Sequence, residues 1–282
     1  MRVLITGGTS GMGQQLAMQL SELGHDVDVF GGMNQVKGMN LVALSRGRIQ
    51  YYPVDLGNIG DVKRVAAEYM AEHEALDYLV LNAGVYPDKQ GADHLGVDKA
   101  FVVNYLHRFM LALLLRPLLL SAAAPRVLIN GCSRLGGLNK DDQGFARMYS
   151  AQQGMSEALK ANALLAFWLN SPCGYGIDVD GFHPGFVNSG FIRQEGRLKP
   201  LLAKWFARSP RQVAGMMCQL LTEPQLSSGG RYIHGLKDAG YHHSITGRQQ
   251  DFAWLWQQSL QLTNMIQPYW AKGLWAEGPD LL

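Results

Sequence analysis

The chain begins RVLIT (2–6) and runs straight into TGGTSGMG (6–13), after which a helical pattern extends over 12–23. A short β-branched apolar run, a glycine-rich turn and a helix in direct succession make a phosphate cradle. Gly7 permits the tight turn, and Gly11 and Gly13 let the backbone approach a pyrophosphate closely. The helix start presents unpaired N–H groups and the positive end of the helix dipole. Thr6, Thr9, Ser10 and Met12 complete the loop, so all of these positions are expected to contact a bound nucleotide. Three glycines at such spacing are a weak signal alone; their position between the first strand and the first helix gives them weight.

The rest of the chain continues the alternation. Strand-like runs recur as DVDVF (26–30), IQYYPVD (49–55), YLVLNAG (78–84), RVLING (126–131), IDVDGFHPG (177–185) and RYIHG (231–235). Helical patterns fall at 58–74, 97–121, after Tyr149, and near 210–222. Strand–helix alternation requires right-handed crossovers and a parallel sheet covered on both faces, which predicts an α/β, doubly wound parallel sheet of about seven strands. No repeat or linker marks a boundary, so residues 1–247 read as one domain. A segment near 186–210 has the length of a substrate lid, with an apolar LLAKWF patch. The region 248–282 reads as a helix followed by a tryptophan-rich tail with Trp254, Trp256, Trp270 and Trp275, expected to dock on the same body.

Bulk composition narrows the function classes. With 47% hydrophobic residues the 282-residue chain can bury a substantial core, and 25 Lys+Arg against 23 Asp+Glu leave a formal charge of +2. No basic run is long enough to follow a phosphate backbone, so nucleic acid is not an expected partner. Cys132, Cys173 and Cys218 are too scattered for a disulfide framework or a metal knuckle, which suits a cytoplasmic location and no metal. The opening strand leaves no room for a leader at this end, and the longest apolar run, FMLALLLRPLLLSAAA (109–124), is broken by Arg116 and Pro117. It falls short of the roughly 18 residues a membrane span needs.

Several further strings stand in the order found in the short-chain dehydrogenase/reductase family, which the chain resembles along nearly its whole length. Thr-Gly-x-x-x-Gly-x-Gly at 6–13 matches its cofactor loop, and Asp55-Leu56 its acidic pair near the adenine. Asn82-Ala83-Gly84 matches its Asn-Ala-Gly, and Asn104 in VVNYLHRF its active-site asparagine helix. Asn130-Gly131-Cys132-Ser133 resembles its Asn-Val-Ser-Ser, Tyr149 its catalytic tyrosine, and Pro184-Gly185-Phe186-Val187-Asn188-Ser189 its nicotinamide-side loop. SPRQVA, GGRYIHG and DFAWLWQQS resemble the retinol-dehydrogenase-like branch. The resemblance implies a Rossmann-type fold and a nicotinamide cofactor bound through Pro184, Gly185, Val187 and Ser189 as well as the earlier motifs. It implies Tyr149 as proton donor, Ser133 polarising the substrate oxygen and Asn104 organising a water. A homodimer or homotetramer formed through the two long helices is also implied.

The second strand ends in Phe30-Gly31-Gly32-Met33-Asn34, where a carboxylate would select NAD(H) and arginine would select NADP(H). Neither is present. The missing acid favours NADP(H) over NAD(H), with Thr9, Ser10, Asn34, or the more distant Lys37 and Arg46 as partners for a 2′-phosphate.

The clearest departure from the family lies four residues after Tyr149, where its lysine is replaced by Gln153. A unit charge about 5 Å from a phenolate, at an effective dielectric near 20, contributes roughly 3 kcal/mol. That equals about two units off a tyrosine pKa near 10. Glutamine can bond a ribose hydroxyl but supplies no such field. Lys160 lies eleven residues beyond Tyr149, about three turns along the helix, and Arg134 and Arg147 read as solvated surface. The sequence therefore points to an NADP(H)-dependent oxidoreductase acting on the carbonyl or alcohol of a small, largely apolar molecule, with an altered active site. A non-redox enzyme on the same scaffold (cyclase, isomerase or lyase), or a nucleotide-binding protein without turnover, is the alternative.

Overall fold

The computed structural model describes residues 1–85, 97–132, 138–140, 151–170, 175–185, 187, 208–223, 232–234, 237–238 and 249–268. Seven parallel strands run in the order β3-β2-β1-β4-β5-β6-β7, and a two-residue antiparallel strand, β8, extends the last edge. They are β1 (Arg2–Thr6), β2 (Asp26–Gly31), β3 (Ile49–Pro53), β4 (Tyr78–Leu81), β5 (Arg126–Asn130), β6 (Asp178–His183), β7 (Tyr232–His234) and β8 (Lys237–Asp238). This is the doubly wound order, and the order in which strands are added reverses between β1 and β4. The crevice between the carboxyl ends of those two strands is therefore where a ligand belongs.

Strand residues alternate between two cores. Leu4, Phe30, Leu79, Leu81, Val127 and Ile129 face one layer, while Val3, Ile5, Val27, Val29, Val80 and Leu128 face the other. This period of two on strands buried on both sides explains why the runs read as nearly continuous apolar sequence. The first layer contains α3 (Ile59–Glu72), the long helical segment from Lys99 to Leu120, α7 (Ala151–Leu169) and α9 (Gln249–Thr263). Phe252 stacks on Trp168 at 4.9 Å, and Trp256 meets Phe109 edge-on at 5.2 Å, so α9 seals that layer. Trp270 and Trp275 lie outside the described residues. The second layer pairs α1 (Gly11–Glu22) with α8 (Pro210–Thr222), joined through Leu16, Ala17 and Leu20 against Val213, Ala214 and Met217.

Two local features were not legible in the sequence. Helix α2 (Gln35–Leu44) carries a glycine in its middle and no clean apolar period; the glycine is required because a Cβ at Gly38 would run into the Tyr51 ring. The helix predicted over 97–121 is segmented: α4 (Lys99–Phe101), a π-turn over Val102–Leu106, α5 (His107–Leu114) and α6 (Arg116–Leu120). The π-turn contains Asn104. Such a widened turn inside an α-helix is rare and clusters at functional sites.

One buried charge belongs to the fold itself. Asp28, in the middle of β2, accepts from Arg2 Nη1 at 2.9 Å and from the Tyr69 hydroxyl at 2.7 Å, and His73 Nε2 lies 3.9 Å away. Tyr52 donates to Glu72 at 2.7 Å alongside. This network pins α3 to the β1–β2 edge.

Candidate active site

The glycine loop sits at the reversal point as the turn chemistry requires. Gly7 has φ +72° and packs against Ala83, whose Cα would be 2.8 Å from a Cβ there. A Cβ on Gly13 would meet the Gly7 carbonyl and the Asn82 amide, whereas Gly11, at φ +57°, faces open space. Two of the glycines thus close the cradle and the third leaves its outer side clear. Ser10 N-caps α1 with its hydroxyl not engaged in the cap, and the first turn of the helix has no acidic residue. A diphosphate fits this cradle, since the free N–H groups of the first turn and the dipole both favour an anion.

The strands beside the loop are locked by side chains that the sequence assigned to cofactor contact. The Thr6 hydroxyl is fully buried and accepts from the backbone N–H of both Asn82 and Ala83 at 3.0 Å. Asn82 donates to the Thr6 carbonyl at 3.2 Å and accepts from Asn130 Nδ2 at 2.8 Å, so β1, β4 and β5 are tied at their carboxyl ends. Gly84 follows directly.

At the adenosine edge Thr9 packs against Gly31, and the Tyr51 hydroxyl donates to the Gly32 carbonyl at 2.5 Å. Asn34 caps α2 by accepting from Lys37 N at 3.2 Å. Lys37 is exposed on that first turn. Arg46 follows the opposite end of the ten-residue α2, about 15 Å along the backbone. The Asp55 carboxylate accepts from Gly57 N at 2.9 Å and pairs with Lys99 at 3.1 Å, while Leu56 is buried behind it.

Asn104 occupies the π-turn with 4% of its surface exposed. Its side chain is committed to Val85, accepting from the backbone N–H and donating to the carbonyl, both at 2.9 Å. Its own carbonyl accepts from Asn162 Nδ2 at 3.1 Å, and the same amide reaches the Gly131 carbonyl at 3.1 Å. Asn162 therefore bridges α7, the π-turn and the end of β5. On the far side of the site Gly185, at φ +75°, donates to His183 Nδ1 at 3.0 Å. Arg208 donates to the Pro184 carbonyl at 2.7 Å, and Val187 bridges to Arg208.

Ser133, Tyr149 and Ser189 lie outside the described residues, as does most of the predicted lid. Gln153 falls in the first turn of α7, with its side chain outside the description. Lys160, considered as a substitute cation, pairs with Glu157 at 2.7 Å.

Two functional candidates were missed by the sequence reading: His107 and Arg108, one turn after Asn104. Both are buried, 0% and 4% exposed. Arg108 donates through Nη2 to the Ala83 carbonyl at 2.6 Å and through Nη1 to the Asn130 carbonyl. The available signal was their spacing: His107 and Arg108 stand three and four residues after Asn104, on the same helix face, in the otherwise apolar run VVNYLHRFMLALL.

The model for short chain dehydrogenases matches residues 1–197. The chain belongs to the short-chain dehydrogenase family. It is an oxidoreductase acting on CH–OH or C=O groups, and the family implies a nicotinamide cofactor, which the cradle at Gly7–Gly13 fits. Among similar proteins is polyprenol dehydrogenase from Mus musculus, 29% identical over 280 residues, covering 92% of this chain and 83% of that protein. Retinol dehydrogenase 14 from Homo sapiens is 27% identical over 264 residues, covering 84% and 78%. An uncharacterized protein from Mycobacterium paratuberculosis has the same fold, with a TM-score of 0.71 at 23% identity over 95% of this chain and 94% of that one.

Among the described residues no group of side chains could hold a metal ion, and no helix is long and apolar enough to cross a membrane. A polar cleft lined by Tyr78, Arg126 and Asp178 opens at the amino ends of β4–β6. In this short-chain dehydrogenase it faces away from the carboxyl ends where open α/β sheets bind ligands.

Proposed function

We propose that the chain is an NADP(H)-dependent dehydrogenase/reductase whose substrate is the alcohol or carbonyl of a largely apolar small molecule of the polyprenol or retinoid kind. The observation that carries the cofactor choice is the adenosine edge. Between Asp28 and Asp55 the sequence has no acidic residue, Asp28 is consumed inside the fold, and Lys37 stands exposed beside Asn34 on the first turn of α2. Among the described residues a 2′-phosphate meets no carboxylate there and the exposed Lys37 cation. The substrate class follows the names of the relatives, which act on apolar alcohols, and the apolar character of LLAKWF in the expected lid.

The bound dinucleotide supplies the hydride acceptor or donor. In the oxidative direction the substrate carbon gives up a hydride and its hydroxyl a proton, leaving a carbonyl; Tyr149 takes the proton and Ser133 holds the oxygen. The residues around the cradle orient the nicotinamide and keep the strand ends fixed. Titration with NADPH and with NADH tests the cofactor half of the reading: NADPH is expected to bind at least tenfold more tightly. Gly13→Ala, which drives a Cβ into the Gly7 carbonyl, should weaken NADPH by a hundredfold or more. Equal affinity for NADH would overturn the NADP(H) preference.

A further inference from the structure

Arg108 is a buried cation with no carboxylate partner among the described residues. Its two hydrogen bonds go to neutral backbone carbonyls, Ala83 and Asn130, and its Nε has no partner there. Its ionisable neighbours do not compensate it. His107 is held neutral by burial and by Arg108, with its pKa pushed down to about 3, and burial pushes the Cys132 thiol up to about 12. Burial also pulls Arg108 itself down to about 10, which still leaves it charged at neutral pH. The polar atoms left over nearby, Asn130 Oδ1 and Asn162 Oδ1, are amide oxygens without partners among the described residues.

The charge is placed against the cofactor face. Ala83, to which Arg108 donates, is the residue on which Gly7 packs, and Nη1 lies 3.6 Å from where a Gly131 Cβ would be. Leu159 of α7 touches that same point. The guanidinium thus lies behind the joint of glycine loop, β4 end and β5 end, where the nicotinamide half of a dinucleotide reaches in this fold.

We propose that Arg108 is a positioning residue that supplies the fixed positive charge of this site, the charge that Gln153 does not provide, and that it acts on the redox state of the bound nicotinamide. The oxidised ring is a cation and the reduced ring is neutral, so a fixed charge behind the site weakens the oxidised cofactor relative to the reduced one. On the enzyme this favours hydride transfer from alcohol to cofactor, with the alcohol oxidised and the nicotinamide reduced. The inference rests on the dinucleotide reading above.

The test measures dissociation constants of NADPH, from its fluorescence, and of NADP⁺, by competition, for the full-length protein. A unit charge about 10 Å away at an effective dielectric near 20 changes the ratio of the NADP⁺ dissociation constant to the NADPH one by about tenfold. The unaltered protein should therefore bind NADPH several-fold more tightly than NADP⁺. Arg108→Met should lower the ratio by about tenfold, while Arg108→Lys keeps it even as both affinities fall together. Loss of packing alone would weaken both forms equally. If Arg108→Met does not fold, Gln153→Lys, which adds a cation at the start of α7, should raise the ratio further in an otherwise unaltered protein. A ratio at or below one in the unaltered protein, or an unchanged ratio in a cooperatively folded Arg108→Met, overturns the proposal. Binding of neither form would remove the functional reading itself.

Discussion

Asp28 and Arg108 are both charges inside the same sheet protein, and they are treated in opposite ways. Asp28 lies mid-strand in β2, matched by Arg2 at 2.9 Å and by the Tyr69 hydroxyl at 2.7 Å, back from the carboxyl end of the strand. Arg108 sits at the strand ends and, among the described residues, is matched by carbonyls only. A neutralised buried charge exerts little field at a distance and serves to fix partners, whereas an uncompensated one costs desolvation and projects a potential. The first belongs to folding and the second to the site. The same division runs through the side chains around them: Thr6 and Asn82 are spent on joining β1, β4 and β5, while Gly11 and the Ser10 hydroxyl are left facing outward.

The largest effect that would sharpen this contrast is on stability. Asp28→Ala leaves the Tyr69 hydroxyl without its acceptor and Arg2 without its counter-charge. Because Arg2 is partly exposed, the loss should be about 3 kcal/mol rather than the upper end for a broken buried pair. Denaturant melts measure it, and NADPH affinity of the folded fraction should stay within about twofold. A large loss of affinity would break the division between folding charge and site charge.

The next effect is a pH dependence on the Arg108 side. His107 is neutral in the fold, with a pKa near 3 set first by burial and then by Arg108, below the ordinary histidine value. Its contribution is complete above about pH 6.5 and is lost as pH falls towards 3, at about 1.4 kcal/mol per pH unit, because the unfolded chain takes up a proton that the folded one refuses. Urea midpoints at pH 7 and pH 5 should therefore differ less in His107→Gln than in the unaltered protein. An identical pH slope in the two would show that His107 accepts its proton in the folded state.

The smallest effect is expected from Tyr69→Phe, which removes one hydrogen bond to Asp28 but keeps the ring packed edge-on against Phe30 at 5.5 Å and Tyr52 at 5.5 Å. A loss of about 1 kcal/mol in a denaturant melt is expected. A loss several times larger would mean that the Asp28 network depends on this hydroxyl more than on Arg2.

The strand and helix alternation and the place of the cradle were legible because apolar runs, glycines and turn residues are local signals whose periods survive in one sequence. Elements such as α2 escaped because their packing is decided elsewhere: Gly38 reads as a helix breaker until Tyr51 is seen occupying the space of its Cβ. The π-turn at Asn104 has no period of its own. Arg108 stands in a largely apolar run, and its burial shows only once the segment is packed, although it lies four residues after Asn104 on the same helix face. Asn104 and Asn82 were recognised as important, but their partners, Val85 on one side and Thr6 and Asn130 on the other, come from distant segments that only the fold brings together.

The most direct measurement of the central claim is formation of reduced nicotinamide when the full-length protein is mixed with NADP⁺ and a long-chain polyprenol or retinoid alcohol, with NAD⁺ in parallel. Fluorescence of the reduced cofactor should rise with NADP⁺ and far more slowly with NAD⁺. A protein that binds NADP⁺ yet produces no reduced cofactor from any such alcohol, and consumes no NADPH with the matching aldehydes, would contradict the account.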